Sequence, residues 1–284
     1  CRVMGEAVIQ LRETVLEAIM QCLKHPNEYV RYVAALSMRA LSEALPQQTQ
    51  TILAALVNMV QITHAEASTE KSHAPLIKFA HAIHGYSNAL AAVISASTRH
   101  ALSISYLLCT AVLDTAHLLY SSTSSINEPY IIMRRQEACW ILVSSVLSLN
   151  EYFVKMHLEK ILDMWDVSMG AVGVKLPAEE PGISYALRAR AAAVISFTTF
   201  IRQCPALLSQ ERMAIIFKYI SNTIDLISSL PPSYKPASSA SLNAINTLKM
   251  YLFEIFRCLP NAALGVPQNR TMINFITKMA FAEA

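Results

Sequence analysis

The sequence is poor in glycine and in charged residues. Only 6 of its 284 residues are glycine and 15% are charged, whereas an average soluble domain has roughly 25% charged residues. No long stretch alternates strictly between polar and apolar residues, so a strand-rich fold is excluded. Intrinsic disorder is excluded too, because 54% of the residues are hydrophobic and the mean hydropathy is +0.35.

Long uninterrupted apolar runs are also absent. A helix that spans a bilayer needs about 18 or more nearly uncharged apolar residues in a row. The best candidates, 102–113 and 191–201, are interrupted by serine and threonine, so no transmembrane segment is expected. The net charge is only +3 and no basic cluster is present, which argues against nucleic acid as a partner.

Motifs of enzymes are missing from the sequence. There is no phosphate-binding loop, no dinucleotide-binding fingerprint, no H-E-x-x-H and no paired-cysteine zinc motif. The stretch 85–89, Gly-Tyr-Ser-Asn-Ala, is one residue short of the G-x-S-x-G elbow of serine hydrolases. Because it lies in a helical pattern, we interpret Gly85 as a point of close helix approach and reject Ser87 as a nucleophile.

A metal site is not expected either. His81 and His84 have a spacing that places both imidazoles on one helical face, where a metal could bridge them. No acidic residue lies within a turn of the pair. The sequence therefore predicts no catalytic residue, no metal site and no cofactor.

The six cysteines are widely spaced and never form a C-x-x-C pair. They are Cys1, Cys22, Cys109, Cys139, Cys204 and Cys258. Most have apolar neighbours at helix-like positions, which predicts buried thiols in a reducing, cytoplasmic compartment. The sequence starts at Cys1 without a methionine or a signal segment, so we expect a piece of a larger protein whose other residues cover some of its apolar surface.

Apolar residues recur at the period of an α-helix, and most of the twelve prolines fall between apolar stretches. Since proline ends helices, this punctuation predicts an all-α fold of about eleven helices in antiparallel hairpins. For 27–45 the predicted core face consists of Val30, Val33, Ala34, Ser37, Leu41, Ala44 and Leu45. The predicted solvent-exposed face consists of Arg31, Ala35, Arg39 and Ser42. For 151–169 the predicted core face consists of Val154, Leu158, Ile161, Leu162, Trp165 and Met169. The predicted solvent-exposed face consists of Lys155, Glu159, Asp163 and Asp166. We interpret both tryptophans, Trp140 and Trp165, as core anchors.

The stretch 25–36 resembles the second half of a HEAT repeat. It has a turn at Pro26, a Val30-Arg31 pair and small residues where neighbouring helices would touch. At about 40 to 47 residues per repeat, the chain holds roughly five or six helical hairpins. We therefore predict a single α-solenoid segment over 1–284.

Two stretches, 79–127 and 219–248, contain almost no charged residues. Helices this apolar are normally covered on more than one side. Neighbouring repeats are the expected cover. The alternative is a partner protein or a missing segment of the same protein, which would make self-association possible.

The candidate partner-binding residues are basic. Arg134 and Arg135 follow each other on one predicted helix, and Lys155 and Lys160 lie on the next. Adjacent helical positions are about 100° apart, so at least one of the two arginines should be exposed. The four residues are thus a candidate basic ridge for binding a protein.

Five blocks, in the same order, resemble consecutive parts of the HEAT repeat-containing protein 5 family. They are GYSNALAA at 85–92, RQEACWIL at 135–142, HLEKIL at 157–162 with Trp165, RAAA at 190–193 leading to FIRQCPALL at 200–208, and LKMY at 248–251 through Leu259-Pro260. Members of that family are very large cytosolic HEAT solenoids that accompany the clathrin adaptor of the trans-Golgi network and endosomes. By this resemblance 74–284 contains family-like repeats, while 1–73 matches only as generic HEAT repeats.

The resemblance implies a function as well as a fold. It implies a non-catalytic scaffold segment that binds clathrin-adaptor subunits or accessory proteins and reaches trans-Golgi and endosomal membranes peripherally, through its partners. Two alternatives stay open. One is a nuclear-transport or other cargo-carrying HEAT solenoid, and the other is a helical region of a giant lipid-kinase-like protein.

Overall fold

The computed structural model describes most of the chain. The described residues are 7–97, 104–121, 128–149, 151–177, 179–230, 236, 239–259, 270, 273–275 and 277, with the backbone alone for 7–12. Within them the elements are α1 (Ala7–Cys22), α2 (Glu28–Ala44), α3 (Thr49–Thr69), α4 (His73–Ser97), α5 (Tyr106–Ser121), α6 (Pro129–Leu147), α7 (Glu151–Met169), α8 (Gly182–Gln203), α9 (Gln210–Ser228) and α10 (Ser239–Cys258). Short 3-10 helices occupy Pro46–Gln48 and Pro205–Leu207.

The predicted fold class is confirmed: the fold is all-α and solenoid-like. The ten α-helices hold more than two thirds of the 284 residues, and the described part of the chain contains no strand. Helical residues at 270, 273–275 and 277 lie beyond α10, in agreement with the expected number of about eleven helices. None of the described helices combines the length and hydropathy that crossing a membrane requires.

Proline and capping side chains set the helix ends. Asn27 precedes α2, and its side chain accepts a hydrogen bond from the backbone N–H of Tyr29 at 2.9 Å. Ser209 caps α9 in the same way by accepting from the N–H of Arg212 at 3.3 Å. Pro129 occupies the first position of α6, where its missing N–H leaves no helical hydrogen bond unmade.

The chain divides into two compact units, Cys1–Phe153 and Val154–Ala284. In the first unit α1 packs against α2, α3 against α4, and α5 against α6, so three helical hairpins form. The second helices of these hairpins stack in the order α2, α4, α6, while α3 packs beside α5. This arrangement is the side-by-side stacking of hairpins that the proline punctuation predicted.

The core of the second unit is built around Trp165 of α7. Its indole is fully buried and lies 4.5 Å from the ring of Phe197 and 5.5 Å from that of Phe200, centroid to centroid. The indole N–H donates to the hydroxyl oxygen of Ser196 at 2.7 Å. α8, which carries these three partners, packs in turn against α10.

The predicted core line of α7 is confirmed. Five of its six residues are buried and Leu162 is half-buried, while all four residues predicted to face solvent are exposed. Phe153 and Met164 are buried in addition. Trp140, in α6 of the first unit, is also a core residue, with 1% of its surface exposed.

The predicted face of α2 is wrong in part, since Ala34, Leu41 and Leu45 are buried as predicted but other positions are not. Arg31, Ala35 and Ser42, assigned to the wet face, are buried, whereas Val33, assigned to the core, is 63% exposed. Arg31 lies on the buried side of α2, because its guanidinium group donates hydrogen bonds to the α1–α2 turn and to His84. The exposed side is apolar.

The charge-poor stretch that includes α4 is covered by neighbouring hairpins. α4 packs against α2, α3 and α6, and six consecutive residues of the helix, 82–87, are buried. Three packed neighbours leave a helix little room for charged side chains, which explains the composition of 79–97. Residues 98–103 and 122–127 of this stretch, and 231–235 and 237–238 of the other, lie outside the described residues.

Candidate partner interface

The α1–α2 turn is held by a buried arginine. Arg31 Nη1 donates to the carbonyl oxygens of His25 at 2.6 Å and Pro26 at 2.8 Å. Its Nε donates to Nδ1 of His84 in α4 at 3.3 Å, which ties the turn to the next hairpin. Burial and the charge of Arg134 lower the pKa of Arg31. These hydrogen bonds are the physical reason why Arg31 faces inwards, against the sequence-based expectation.

Gly85 brings α4 against the same turn, as the sequence predicted. A Cβ atom at this position would lie 1.8 Å from the carbonyl oxygen of Leu23 and 3.2 Å from Cδ of Arg31. No side chain fits at the first distance. Gly85 therefore sets how closely the α1–α2 hairpin can approach α4.

A second buried arginine ties α6 to α2. Arg134 lies 2.6 Å from Oε2 of Glu28 and 2.9 Å from Oε2 of Glu137, and its Nε donates to the hydroxyl oxygen of Tyr130 at 3.2 Å. Burial alone would lower the pKa of Arg134, but the carboxylates of Glu137 and Glu28 raise it above the ordinary value. Removal of either carboxylate would leave a buried charge partly uncompensated.

The expectation that Arg134 or Arg135 is exposed is wrong. Their exposed fractions are 5% and 4%. Arg135 Nη2 donates to the carbonyl oxygen of Leu119 at 3.2 Å, and burial lowers its pKa. Both guanidinium groups thus hold helices together inside the first unit and contribute no basic ridge at its surface.

Lys155 and Lys160 lie on α7 in the second unit. Lys155 is exposed and Lys160 is half-buried. Their assignment to a partner-binding surface stays a prediction, which now depends on the two lysines alone.

Ser87, His81 and His84, the residues considered above for catalysis or metal binding, take part in the packing between helices. Ser87 is completely buried within α4. His81 Nε2 and the hydroxyl of Tyr130 form a hydrogen bond of 2.9 Å, and His84 receives the hydrogen bond from Arg31. In the described part of the chain, no three histidine, cysteine, aspartate or glutamate side chains converge as metal ligands.

An apolar groove lies between α1 and α2. Its volume is about 400 Å³, and we call it the α1–α2 groove. It is lined by Ala18, Ile19, Cys22, Tyr29, Val30, Val33, Ala34 and Ser37, none of which carries a charge. Tyr29 is 79% exposed, and Leu36, one turn beyond Val33, is 58% exposed. Large apolar side chains gathered in one open groove are typical of a surface that binds another protein element.

Sequence reasoning missed both the groove and the polar network beneath it. The sequence predicts Val33 in the core because this residue is apolar. Apolar character alone does not show which of the two apolar sides of α2 a neighbouring helix covers. The hydrogen bond from Arg31 joins residues 53 positions apart, and the ion pair between Arg134 and Glu28 joins residues 106 positions apart. The local HEAT-like pattern with its Val30-Arg31 pair was the one signal near this site.

Comparison with known proteins finds a distant similarity to a plant protein. Over 204 residues, 71% of its length, the chain is 26% identical to the Arabidopsis thaliana protein named SWEETIE. This region amounts to 9% of that protein, so the chain spans less than a tenth of the length of this curated relative. No protein-family model matches the chain, and no solved structure matches it.

Proposed function

We propose that this chain is a non-catalytic segment of a larger HEAT-type scaffold that acts in clathrin-adaptor-dependent traffic between the trans-Golgi network and endosomes. The observation that supports a scaffold is the stack of helical hairpins, in which the second helices α2, α4 and α6 pack in order. The family resemblance of the five ordered sequence blocks supports the trafficking role. Similarity to a region that makes up only 9% of a much longer protein is consistent with a segment of a large scaffold.

The proposed mechanism needs no cofactor and no reaction. An extended array of hairpins holds adaptor subunits and accessory proteins near one another and raises their effective concentration at the membrane. The scaffold itself is cytoplasmic and is recruited to trans-Golgi and endosomal membranes through these partners. Each repeat then contributes part of the contact surface of the array.

The proposal is tested by affinity purification of the full-length protein from cells, with residues 7–259 present or deleted. Quantitative mass spectrometry should show that the clathrin-adaptor subunits or their accessory proteins are lost with the segment. Unchanged recovery of all of them would refute a partner-binding role for this segment. Recovery of nuclear-transport cargo in their place would favour a cargo-carrying solenoid.

The two candidate lysines permit a finer test. If Lys155 and Lys160 bind an acidic partner surface, the double variant Lys155→Gln/Lys160→Gln should recover at least several-fold less of that partner. The matched control is Lys71→Gln/Lys78→Gln, since both of these lysines are exposed in the first unit. Equal recovery with the two double variants would remove the lysines from the binding surface.

A further inference from the structure

α2 carries apolar residues on two opposite sides. The side of Arg31 faces α4, as the contacts to His84 and Gly85 show. With about 100° between successive helical residues, the stripe formed by Tyr29, Val33 and Leu36 points the other way. All three side chains are more than half exposed. α2 is therefore covered towards α4 and open on the opposite side.

The stack of second helices shows what belongs on that open side. α4, in the middle of the stack, packs against α2, α3 and α6. α2 packs mainly against α1 and α4. One further helix, placed on the open stripe and over the α1–α2 groove, would give α2 the same three kinds of neighbour that α4 has. The groove thus continues an interface that the fold already uses twice, between α2 and α4 and between α4 and α6.

The lining of the groove defines the chemistry of its occupant. Because all eight lining residues are uncharged, a charged side chain that faced them would lose its hydration without gaining a partner. Three of the lining residues, Ala18, Ala34 and Ser37, have small side chains, which leave room for larger apolar side chains of an occupant. The occupant that fits is an amphipathic helix with branched apolar residues along one face.

The size of the groove favours an occupant that is covalently linked to this chain. Eight residues line it, whereas a stable interface between separate proteins uses about 20–30 residues a side. A tethered helix needs no such area, because the linkage supplies a high effective concentration. A second copy of the chain, which must pay the full entropy of association, is the weaker fit.

We propose that the α1–α2 groove receives the second helix of a further helical hairpin of the longer protein, so that this helix extends the stack of α6, α4 and α2. The proposal rests on the proposed function in one respect, namely that the chain is a segment of a longer solenoid. It does not depend on the trafficking role.

Cys22 offers a direct reporter of the groove. It lines the groove and is exposed, whereas Cys109, Cys139 and Cys204 are buried. The experiment is pulsed alkylation with N-ethylmaleimide, followed by mass spectrometry of the peptide that contains Cys22. Alkylation of Cys22 should be at least tenfold slower in the full-length protein than in the 284-residue chain. An added control thiol, Ser72→Cys in the exposed turn between α3 and α4, should react at the same rate in both.

A substitution in the groove gives the second readout. Val33→Lys should restore rapid alkylation of Cys22 in the full-length protein, because the occupant cannot bury the ammonium group. The same substitution should leave the urea midpoint of the 284-residue chain unchanged, since Val33 is exposed there. The matched control is Val167→Lys, on an exposed position of α7 in the second unit, which should leave Cys22 protected.

Two results would overturn the proposal. Equal alkylation rates in the full-length protein and the 284-residue chain would show that the groove stays open. Alkylation that slows in the 284-residue chain as its concentration rises would assign the groove to a second copy. A failed trafficking role would appear differently, as protected Cys22 in a full-length protein that recovers no adaptor subunit.

Discussion

Gly85 holds α4 against the α1–α2 turn because it has no side chain. In an open helix interior, Gly85→Ala would stabilise the chain by up to about 1 kcal/mol, since alanine is the better helix former. Here the added methyl group would overlap the carbonyl oxygen of Leu23. Overpacking of this kind costs about 1–3 kcal/mol, so we expect the free energy of unfolding to fall by about that amount.

Urea denaturation of the Gly85→Ala variant measures this effect. The sign of the change is decisive, because helix propensity and steric overlap act in opposite directions. A higher midpoint for the alanine variant would show that α4 does not approach the turn as closely as described.

His64 makes the free energy of unfolding depend on pH. Burial, helped by the charge of Arg135, lowers the pKa of His64 to about 4, whereas an unfolded histidine has a pKa of about 6.5. Between these values the unfolded chain binds more protons than the folded chain. Stability from His64 is therefore complete above pH 6.5, decreases as the pH falls towards 4 and changes no further below that.

The His64→Gln variant isolates this contribution. Between pH 7 and pH 4 the unmodified chain should lose about 3 kcal/mol more unfolding free energy than the variant does, because glutamine does not titrate. His117→Gln, at an exposed position, is the matched control and should behave like the unmodified chain. Identical pH profiles for all three proteins would contradict the buried, neutral imidazole.

At the scale of helices, the sequence predicted α7 well and α2 only in part. α7 has one apolar and one charged side, so its pattern determines which side is buried. α2 is apolar both towards α4 and towards the open groove. Because Arg31 is charged, the sequence pattern places it on the solvent-exposed side, although it is buried. Its orientation depends on acceptors in the turn and on His84, far away in sequence. Arg134 and Arg135 were misplaced for the same reason, since their partners come from other elements.

The core position of Trp165 gives the prediction for an element. Trp165→Ala should lower the free energy of unfolding by about 3–5 kcal/mol, as large-to-alanine changes in a packed core do. Part of the loss comes from the hydroxyl of Ser196, which loses its hydrogen bond from the indole. Val167→Ala, on the exposed side of the same helix, should change it by less than about 0.5 kcal/mol. Equal midpoints for the two variants would place the indole at the surface and make it a candidate for partner binding.

At the scale of the whole chain, the sequence predicted the hairpins but not the division into two units. The boundary between Phe153 and Val154 lies inside α7. No glycine, proline or polar linker marks it, because the change from one unit to the next occurs in packing and not in composition. The prediction of a single solenoid segment over 1–284 can therefore be tested by measuring whether the two units unfold cooperatively.

The two tryptophans allow that test, because Trp140 lies in the first unit and Trp165 in the second. In a Trp165→Phe background the fluorescence reports the first unit, and in a Trp140→Phe background it reports the second. Gly85→Ala, which acts in the first unit, should then shift the urea midpoint of the Trp140 signal by more than that of the Trp165 signal. Stacked repeats couple mainly to their nearest neighbours, so destabilisation should weaken with distance along the chain. Equal shifts in both backgrounds would mean that residues of both units unfold as one cooperative body.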